Sequence, residues 1–393
     1  MKILVIAPIV PYPLRDGDRI RLYHLIKAMS RKNKVSLLAC TRDPEGSFYA
    51  RELAAELHLD NVEVFTLSSS RLILNCLKNF FSFLPFNVSA YQWNTMKITV
   101  KKKIDQMKFD LIFVYRLRMA PAVSDFSIPK VIDLTDALTI YMERAALISG
   151  NPFKRIYFLW ESAKMKKYEP RVCGLFNACL ISSPRDLEHL QKKGVKNLYW
   201  VSNGVNIKNF KFRLKGRKKN TLLFTGNMGY TPNQQGILFF IEKIWPLIRK
   251  VKSEATIQIV GGQVPSWIKS WNGKEGIEVA GEVSSMAPYL QEATLFVCPL
   301  LLGAGVRFKI LEAFASGLPV VSTSLGCEGL QVTNGREIMV ADNPESFAQA
   351  VLDLLKRPKL RKVMSQRAYA VCKKYYDWTV IEKKLEVVLK KVL

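Results

Sequence analysis

Short apolar runs of strand length alternate along the chain with segments whose apolar residues recur at helical spacing. The runs are almost continuously apolar, which indicates strands that are buried on both faces of a sheet. In the first half, strands are predicted at Lys2–Ala7, Val35–Cys40, Val62–Leu67, Leu111–Tyr115, Val131–Leu134 and Cys179–Ser182. Helices are predicted at 18–31, 47–58, 95–107 and 184–193. This alternation is typical of an α/β protein with a doubly wound parallel sheet.

The same alternation restarts after a basic, glycine-containing link at 211–220. Strands are predicted there at Thr221–Thr225, Thr256–Val260, Ile277–Ala280, Leu295–Pro299 and Pro319–Thr323. Helices are predicted at 234–252, 284–292, 307–316 and 344–356. A chain of 393 residues is long enough for two such domains, which we place at 1–205 and 206–372. Ligands of open α/β sheets bind beyond the carboxyl ends of the strands, so we expect a ligand held by both domains.

The chain carries 59 Lys and Arg residues against 33 Asp and Glu residues, and its two halves share the net charge of +26 equally. A charge spread in this way indicates a surface that attracts polyanions. Phosphorylated substrates, nucleic acid and the anionic leaflet of a membrane all fit that description. The charge alone does not choose among them.

Seven cysteines without a Cys-x-x-Cys pair indicate buried thiols in a reducing compartment. The apolar start of the chain is too short for a signal peptide, and no stretch reaches about 18 apolar residues. We therefore expect a cytoplasmic protein. The three histidines, His24, His58 and His189, show neither metal-ligand nor catalytic-triad spacing, so metalloenzymes and triad hydrolases lack their usual residues here.

Residues 71–93 and 153–171 place aromatic and aliphatic residues beside Lys and Arg. This composition suits a helix that lies in a membrane interface. It suits equally an ordinary helix packed on the core with a solvated basic edge. Both interpretations stay open for both segments.

A glycine turn, Gly303-Ala304-Gly305, follows the apolar run Leu295–Pro299 and precedes a helical pattern. Such a turn lets backbone N–H groups and the positive end of a helix approach an anion. Arg307 and Lys309 would add full charges, and the Glu312 carboxylate, two turns beyond Gly305, would accept hydrogen bonds from a ribose diol. The spacing fits a diphosphate site, and it also fits a plain turn with two surface cations and an exposed carboxylate.

The segment continues as Ala315-Ser316-Gly317-Leu318-Pro319-Val320-Val321-Ser322-Thr323, and the whole resembles the donor-binding motif of glycosyltransferase family 4. Members of that family are retaining enzymes of GT-B fold, with two Rossmann-like domains facing across a cleft. They carry two Glu residues eight positions apart; the second matches Glu312 and the first falls on Ala304. The resemblance implies donor binding by Gly303, Ala304, Gly305, Val306 and Glu312, and catalytic roles for Arg307 and Lys309. Backbone amides of 303–305 would then replace the missing first Glu at the sugar.

Three more segments carry the resemblance. Asn203-Gly204-Val205-Asn206 is similar to the family's Asn-Gly-Val-Asp signature, with Asn206 in place of Asp. The segment 224–233 is similar to the start of the second domain in bacterial exopolysaccharide transferases, which implies that Gly226 and Asn227 face the donor. In the first strand-to-helix loop Gly17 matches a donor-facing glycine, and Arg19 and Arg21 are cationic candidates on the acceptor side.

Carboxylates in the first domain have competing interpretations. Asp16-Gly17-Asp18 mimics the metal-binding Asp-x-Asp of another transferase fold, although Asp and Gly serve equally well there as turn and N-cap residues. Asp136 and Asp133, at the end of a buried strand, resemble the family position that faces the acceptor. Asp136 is the first candidate for contacting the acceptor hydroxyl, and Asp133 the second. The alternative is an N-cap Asp for a helix from about 138.

The resemblance implies transfer of a sugar, with retention, from a nucleotide diphosphate donor to a hydroxyl of a saccharide or lipid-linked acceptor in cell-surface polysaccharide synthesis. It implies no cofactor and no bound metal. We also expect no nucleic-acid partner, and a peripheral association with the anionic inner face of the cell membrane. Residues 373–393 would form a helix that packs back on the first domain. Two other functions stay open: a GT-B-shaped epimerase of nucleotide sugars, and a non-catalytic nucleotide-sugar-binding protein.

Overall fold

The computed structural model describes residues 1–79, 81–91, 94–303 and 305–393. The chain divides into two compact units. Unit 1 comprises Met1–Ser202 and Glu382–Leu393, and unit 2 comprises Asn203–Ile381. Each unit contains one parallel β-sheet with helices around it, so the α/β class that the hydrophobic pattern predicts is confirmed.

The described strands of unit 1 form a single sheet. They are β1 (Lys2–Ala7), β2 (Lys34–Thr41), β3 (Asn61–Thr66), β4 (Leu111–Tyr115), β5 (Lys130–Thr135), β6 (Ala178–Ile181) and β7 (Leu198–Trp200). The order across the sheet is β3-β2-β1-β4-β5-β6-β7, and neighbouring strands are parallel. The chain starts in the middle and reverses its direction of winding between β1 and β4, which makes the sheet doubly wound. All six predicted strands are present; β7 has only three residues, too few to produce a hydrophobic pattern.

Helices cover this sheet. The described ones are α1 (Gly17–Ser30), α2 (Gly46–Leu57), α3 (Ser69–Lys78), α4 (Phe86–Ser89), α5 (Asn94–Met107), α6 (Leu138–Ile148), α7 (Pro152–Cys173) and α8 (Pro184–Lys192), with a 3₁₀ turn at Leu117–Ala122. The four predicted helices are confirmed to within about two residues at each end. The two aromatic and basic segments supply α3, α4 and α7. Phe80, Gln92 and Trp93 of the first segment lie outside the described residues.

The core of unit 1 follows from the apolar strands. Leu4, Ile112 and Ile132, on the adjacent strands β1, β4 and β5, have no exposed surface and share one buried cluster with Met165 of α7. Burial of an aliphatic side chain stabilises a fold by about 1.5–3 kcal/mol, so these strands hold the centre of the unit. The polar residues at their carboxyl ends are therefore attached to a rigid frame.

The described strands of unit 2 form a second sheet. They are β8 (Thr221–Thr225), β9 (Thr256–Val260), β10 (Ile277–Gly281), β11 (Leu295–Cys298), β12 (Val320–Ser322) and β13 (Met339–Val340). Their order is β10-β9-β8-β11-β12-β13, again with parallel neighbours. The five predicted strands are present, and the two-residue β13 was not predicted.

The described helices of unit 2 are α9 (Thr231–Phe239), α10 (Trp245–Val251), α11 (Ser266–Lys269), α12 (Ala287–Glu292), α13 (Phe308–Ala315), α14 (Pro344–Lys356) and α15 (Pro358–Tyr375). A π-helical segment at Phe240–Ile244 joins α9 to α10, so the single helix predicted at 234–252 is interrupted. The wider turn comes just before Pro246, which has no N–H to continue the regular hydrogen-bond ladder.

The last helix, α16 (Trp378–Val392), supplies its residues from Glu382 onward to unit 1. Within unit 1, Arg31 forms an ion pair with Glu382, and Lys32 pairs with Glu386 at 3.0 Å. Leu385, whose side chain is 1% exposed, belongs to the buried interior. All seven cysteines are free thiols, five of them buried and two half-buried. None of the described helices has both the length and the apolarity needed to cross a bilayer.

Candidate functional site

The glycine turn of unit 2 connects β11 to α13. Gly303 and Gly305 have φ of +137° and +72°, conformations that side-chain-bearing residues rarely adopt. Between them, the predicted donor residue Ala304 lies outside the described residues. Val306 is buried, and its carbonyl accepts a hydrogen bond of 2.8 Å from the Asn203 side-chain amide. The Asn-Gly-Val-Asn signature thus includes a residue that anchors the exit of the glycine turn.

Arg307 occupies the N-cap position of α13 and folds back over the turn. Its Nη1 donates to the Gly305 carbonyl at 2.8 Å. A Cβ atom placed on Gly303 would come within 2.7 Å of Arg307 Nη2, so any larger residue there would displace the guanidinium from this position. The first N–H groups of a helix have no partner within it, so Arg307 adds its charge to a backbone that already favours anions.

Lys309 extends from the first turn of α13 towards the loop after β8. Its Nζ donates to Asn233 Oδ1 at 2.8 Å and lies 4.5 Å from the centre of the Phe224 ring. A Cβ atom on Gly226 would come within 2.7 Å of the same Nζ. Lys309 is only half-buried as a whole residue, but desolvation of its amine, helped by the nearby Arg307 charge, lowers its pKa to about 8. A bound anion would relieve both effects, because opposite charge favours the protonated amine.

Asn233 links the two parts of this site. Besides accepting from Lys309, it donates through Nδ2 to the Asn227 carbonyl at 2.8 Å. The loop after β8 is held at its other side by a hydrogen bond of 2.9 Å from Gly226 N to Val260 O. The structure therefore brings the predicted residues Gly226, Asn227, Arg307 and Lys309 together. Sequence reasoning missed Asn233, although a polar residue in the first turn after a glycine loop is a recognisable signal.

Glu312 follows Lys309 by three residues on α13. The side chain is half-buried, and burial raises its pKa while the Lys309 charge opposes that rise. On a helix, residues three apart lie on the same face, so the carboxylate and the amine share one side of α13. In the order of the chain, the site thus presents a glycine turn, two cations and a carboxylate.

In unit 1, the predicted residues Gly17, Arg19 and Arg21 lie within the first five residues of α1, directly after the loop from β1. Gly17 begins α1, and Asp16 is its N-cap, accepting a hydrogen bond of 3.0 Å from Arg19 N. The Arg19 side chain also forms an ion pair with Asp16. The N-cap interpretation of Asp16 is therefore confirmed. Over the described residues, no group of three or more His, Cys, Asp or Glu side chains is arranged to hold a metal ion.

Arg21 and Asp133 are bound to each other inside unit 1. Arg21 Nε lies 2.7 Å and Nη2 3.0 Å from the two Asp133 carboxylate oxygens, and neither side chain has exposed surface. Arg21 Nη2 also donates to Val201 O at 2.8 Å, and Asp133 Oδ1 accepts from Thr135 N at 3.0 Å. The pair joins α1 to β5, so contact of either side chain with an acceptor would require this bidentate pair to open.

Asp136 lies beyond the end of β5 but does not cap the next helix. The N-cap of α6 is Ala137, and the α6 amides of Leu138 and Thr139 donate to Glu169 of α7 instead. Asp136 accepts a hydrogen bond of 3.1 Å from Ser182 Oγ. The N-cap alternative for Asp136 is therefore wrong, because a carboxylate distant in sequence performs that role. Burial raises the pKa of Glu169 to about 7, although its hydrogen bonds oppose the rise.

Arg116, which sequence reasoning missed, is the centre of a charge cluster at this edge of the sheet. It forms an ion pair with Asp18, and its Nη1 lies 3.6 Å from Asp136 Oδ2. Burial favours a higher pKa for Asp18, but Arg116 outweighs it and holds the pKa below its usual value. Arg116 and Thr135 both have positive φ, +70° and +67°, directly after β4 and at the end of β5. Strain of this kind at two neighbouring strand ends is characteristic of functional sites.

Solved structures share this fold. Sucrose-phosphate synthase from Thermosynechococcus elongatus matches with a TM-score of 0.73 and 14% identity, over 100% of this chain and 99% of that one. Anabaena Alr3699/HepE in complex with UDP matches with a TM-score of 0.69 and 15% identity over the whole of both chains. These matches show that the chain has the GT-B fold.

The family match lies in the second half. Residues 219–357 match the family described as glycosyl transferases group 1, and this range includes the glycine turn, both cations and Glu312. With this match, the chain is a glycosyltransferase. An uncharacterised 44.6 kDa protein in the cps region of Klebsiella pneumoniae is 22% identical over 96% of both chains. A phosphatidyl-myo-inositol mannosyltransferase of Mycobacterium leprae is 26% identical over 46% of this chain and 50% of its own length.

Proposed function

We propose that this glycosyltransferase takes its sugar from a nucleoside diphosphate donor bound at the glycine turn of unit 2. The observation that carries the proposal is that Arg307 folds over the glycine turn at the N-terminus of α13, while Lys309, from the first turn of the same helix, reaches Asn233 and the Gly226 loop. Two cations and helix N–H groups fit the two negative phosphates of such a donor. Structural neighbours with bound UDP and UDP-glucose support uridine diphosphate as the first ligand to test.

In this proposal, Glu312 accepts hydrogen bonds from the ribose hydroxyls, and the loop from Gly226 to Asn227 borders the donor. The Lys309–Asn233 hydrogen bond fixes both sides of the site before the donor arrives, which reduces the ordering cost of binding. Backbone amides of the glycine turn hold the sugar where related enzymes use a Glu.

Transfer breaks the bond between the anomeric carbon and the diphosphate oxygen and forms one from that carbon to the acceptor oxygen, with retention. The acceptor proton passes to the departing phosphate on the same face. Arg307, Lys309 and the helix N–H groups stabilise the charge that develops on the leaving diphosphate, without a bound metal. The protein needs no covalent nucleophile in this sequence of events.

We assign acceptor binding to unit 1, with Asp136 as the residue nearest the acceptor hydroxyl. Asp136 stands beside the strained Arg116, and Gly17 and Arg19 lie with Asp18 in the first turn of α1. The acceptor class that we propose is a saccharide or lipid-linked saccharide of a cell-surface polysaccharide. The relative in a cps region supports this choice.

The test is a nucleotide-sugar transfer assay with purified protein, preceded by a thermal-shift screen of nucleoside diphosphates. Arg307→Ala should lower turnover by about 100-fold or more, because it removes one charge from the leaving-group site. Arg336→Ala is the matched control, since Arg336 is an exposed arginine of the same unit. Near-normal turnover by a folded Arg307→Ala protein would contradict the assignment. Conversion of labelled donor without any acceptor would instead indicate an epimerase.

A further inference from the structure

Three helices of unit 1 form one assembly around Phe86. The Phe86 ring of α4 stacks on Tyr157 of α7 at 6.2 Å between centres and meets Trp160 edge-on at 5.2 Å. On its other side, α3 is attached to the C-cap of α4 by a hydrogen bond of 3.1 Å from Asn75 Nδ2 to Ala90 O. We call the described residues of 69–91 and 152–167 the α3–α4–α7 surface. The two aromatic and basic segments, separate in sequence, are thus a single structural feature.

The only carboxylate of this surface is turned inward. Glu161 has no exposed surface and accepts hydrogen bonds from Phe86 N at 2.9 Å and Asn87 N at 2.8 Å, which caps the first turn of α4. Burial raises its pKa, and these amides oppose the rise. The Glu161 carboxylate therefore holds α4 against α7 and adds no negative charge to the exposed side of the surface.

The outer side of the assembly is unusually apolar. Phe81 and Phe83, between α3 and α4, are 96% and 91% exposed. No residue of α3 is buried, and the first nine residues of α7, 152–160, are likewise all outside the core. Among these residues the large apolar side chains with exposed surface are Ile73, Leu74, Leu77, Phe153, Ile156, Tyr157, Leu159 and Trp160. So many large apolar side chains exposed on one assembly indicate an interaction site.

Exposed cations lie on the same helices as these apolar side chains. Arg71 and Lys78 are exposed on α3, and Lys154, Arg155 and Lys167 are exposed on α7. Lys164 lies 4.2 Å above the Trp160 ring and 4.8 Å above Phe86, so its charge is held within the aromatic group. Aromatic anchors together with Lys and Arg are the chemistry that binds the headgroup region of a bilayer.

We infer that the α3–α4–α7 surface docks the enzyme on an anionic lipid bilayer. Charge complementarity selects this occupant. A second copy of the chain would bring the same cations against one another, and each copy already carries a net charge of +26. An anionic bilayer instead offers negative headgroups to the cations and an apolar interior to Phe81 and Phe83. Docking would keep the enzyme beside lipid-linked acceptors, and it does not depend on the proposed donor site.

The experiment measures co-sedimentation of the purified full chain with vesicles of phosphatidylcholine containing roughly 30% phosphatidylglycerol, and with vesicles of phosphatidylcholine alone. The anionic vesicles should bind at least tenfold more tightly at low salt, and added salt should weaken that binding. Phe81→Ser combined with Phe83→Ser should lower binding by about tenfold or more, because two apolar anchors are lost. Both side chains are almost fully exposed, so the fold should survive, as the unchanged thermal unfolding of the variant would verify.

Two matched controls distinguish binding by this surface from nonspecific adsorption of the protein to vesicles. Phe48→Ser removes another exposed phenylalanine of unit 1, on α2, and should leave vesicle binding unchanged. Lys154→Glu with Arg155→Glu should weaken binding by more than tenfold, whereas Lys192→Glu with Lys193→Glu at the C-terminal end of α8 should have a much smaller effect. Equal loss in test and control variants would overturn the inference. So would absence of binding to anionic vesicles, or dimerisation in light scattering that Phe81→Ser with Phe83→Ser abolishes.

Discussion

Lys309 shows how the surroundings of a residue change its chemistry. An ordinary lysine side chain has a pKa of 10.5, but desolvation beside Phe224, with Arg307 close by, lowers the pKa of Lys309 to about 8. Because the folded chain holds the Lys309 proton less tightly than the unfolded chain does, the lowered pKa destabilises the folded state below pH 8. That cost is relieved as the pH rises from 8 towards 10.5, because there the unfolded chain binds a proton that the folded chain has released.

This shift predicts a pH dependence of donor binding. Between pH 7 and pH 9, affinity for UDP should fall by about tenfold, because the free enzyme loses the Lys309 proton over that range. Isothermal titration calorimetry at several pH values measures it. Lys309→Arg should bind UDP with a flat profile, since arginine stays protonated. If the UDP affinities of the wild-type protein and of Lys309→Arg fall in parallel as the pH rises, a group other than Lys309 causes the pH dependence.

At the same scale, neighbours decide which of the predicted residues are accessible. Arg21 and Asp133 are residue types expected at an acceptor site, but they form an ion pair with each other, and neither side chain has exposed surface. Arg116 stands directly after β4 and organises Asp18 and Asp136. It follows a buried strand as Asp136 does, so the rule that selected Asp136 also applies to it.

At the scale of elements, the glycine turn shows that backbone conformation and side-chain space act together. Gly303 has a φ of +137°, and a Cβ there would collide with the Arg307 guanidinium. Gly273 also has a positive φ, of +80°, but nothing lies within 4 Å of a Cβ placed there. A comparison of substitutions at the two glycines therefore separates the cost of a side chain at positive φ from the cost of displacing Arg307.

We predict that Gly303→Ala and Gly273→Ala each reduce the free energy of unfolding by about 1–2 kcal/mol, because alanine is strained at positive φ. Only Gly303→Ala should weaken UDP binding, by about tenfold or more, since it moves a cation of the donor site. Chemical denaturation and titration calorimetry measure the two effects. Equal nucleotide affinities in the two variants would show that Arg307 does not depend on the turn.

At the scale of the whole molecule, the end of the chain completes unit 1. Glu382–Leu393 belong to that unit, although they follow the whole of unit 2 in sequence. Their ion pairs with Arg31 and Lys32 are partly exposed and contribute little to stability, as is usual for surface pairs. The buried apolar side chains of α16 carry most of the stabilisation.

Leu385→Ala should therefore lower the free energy of unfolding of unit 1 by about 3 kcal/mol, because it leaves a cavity in the interior. Val387→Ala, at a side chain that is 54% exposed, should change it by less than about 0.5 kcal/mol. Scanning calorimetry with and without UDP measures the unfolding of both variants. UDP affinity should stay unchanged in both variants, since the proposed donor site lies in unit 2; a weaker affinity for Leu385→Ala would contradict this independence.

The sequence by itself determined the alternation of strands and helices, the α/β class and the location of the glycine turn. These features depend on local patterns: apolar runs dictate buried strands, and glycines permit positive φ next to a helix start. The resemblance carried by residues 299–323 pointed to the glycosyltransferase class for the same local reason, since that motif is contiguous.

Only the tertiary structure decided which side chains meet. Lys309 and Asn233 are 76 positions apart, and Arg21 and Asp133 are 112 apart; no spacing in the sequence reveals either pair. The same holds for Glu169, which caps α6 from α7, and for Phe86, which joins α3 and α7 into one surface. The physical reason is that hydrophobic periodicity specifies which face of an element is buried, whereas the partner across that face is set by the order of strands in the sheet.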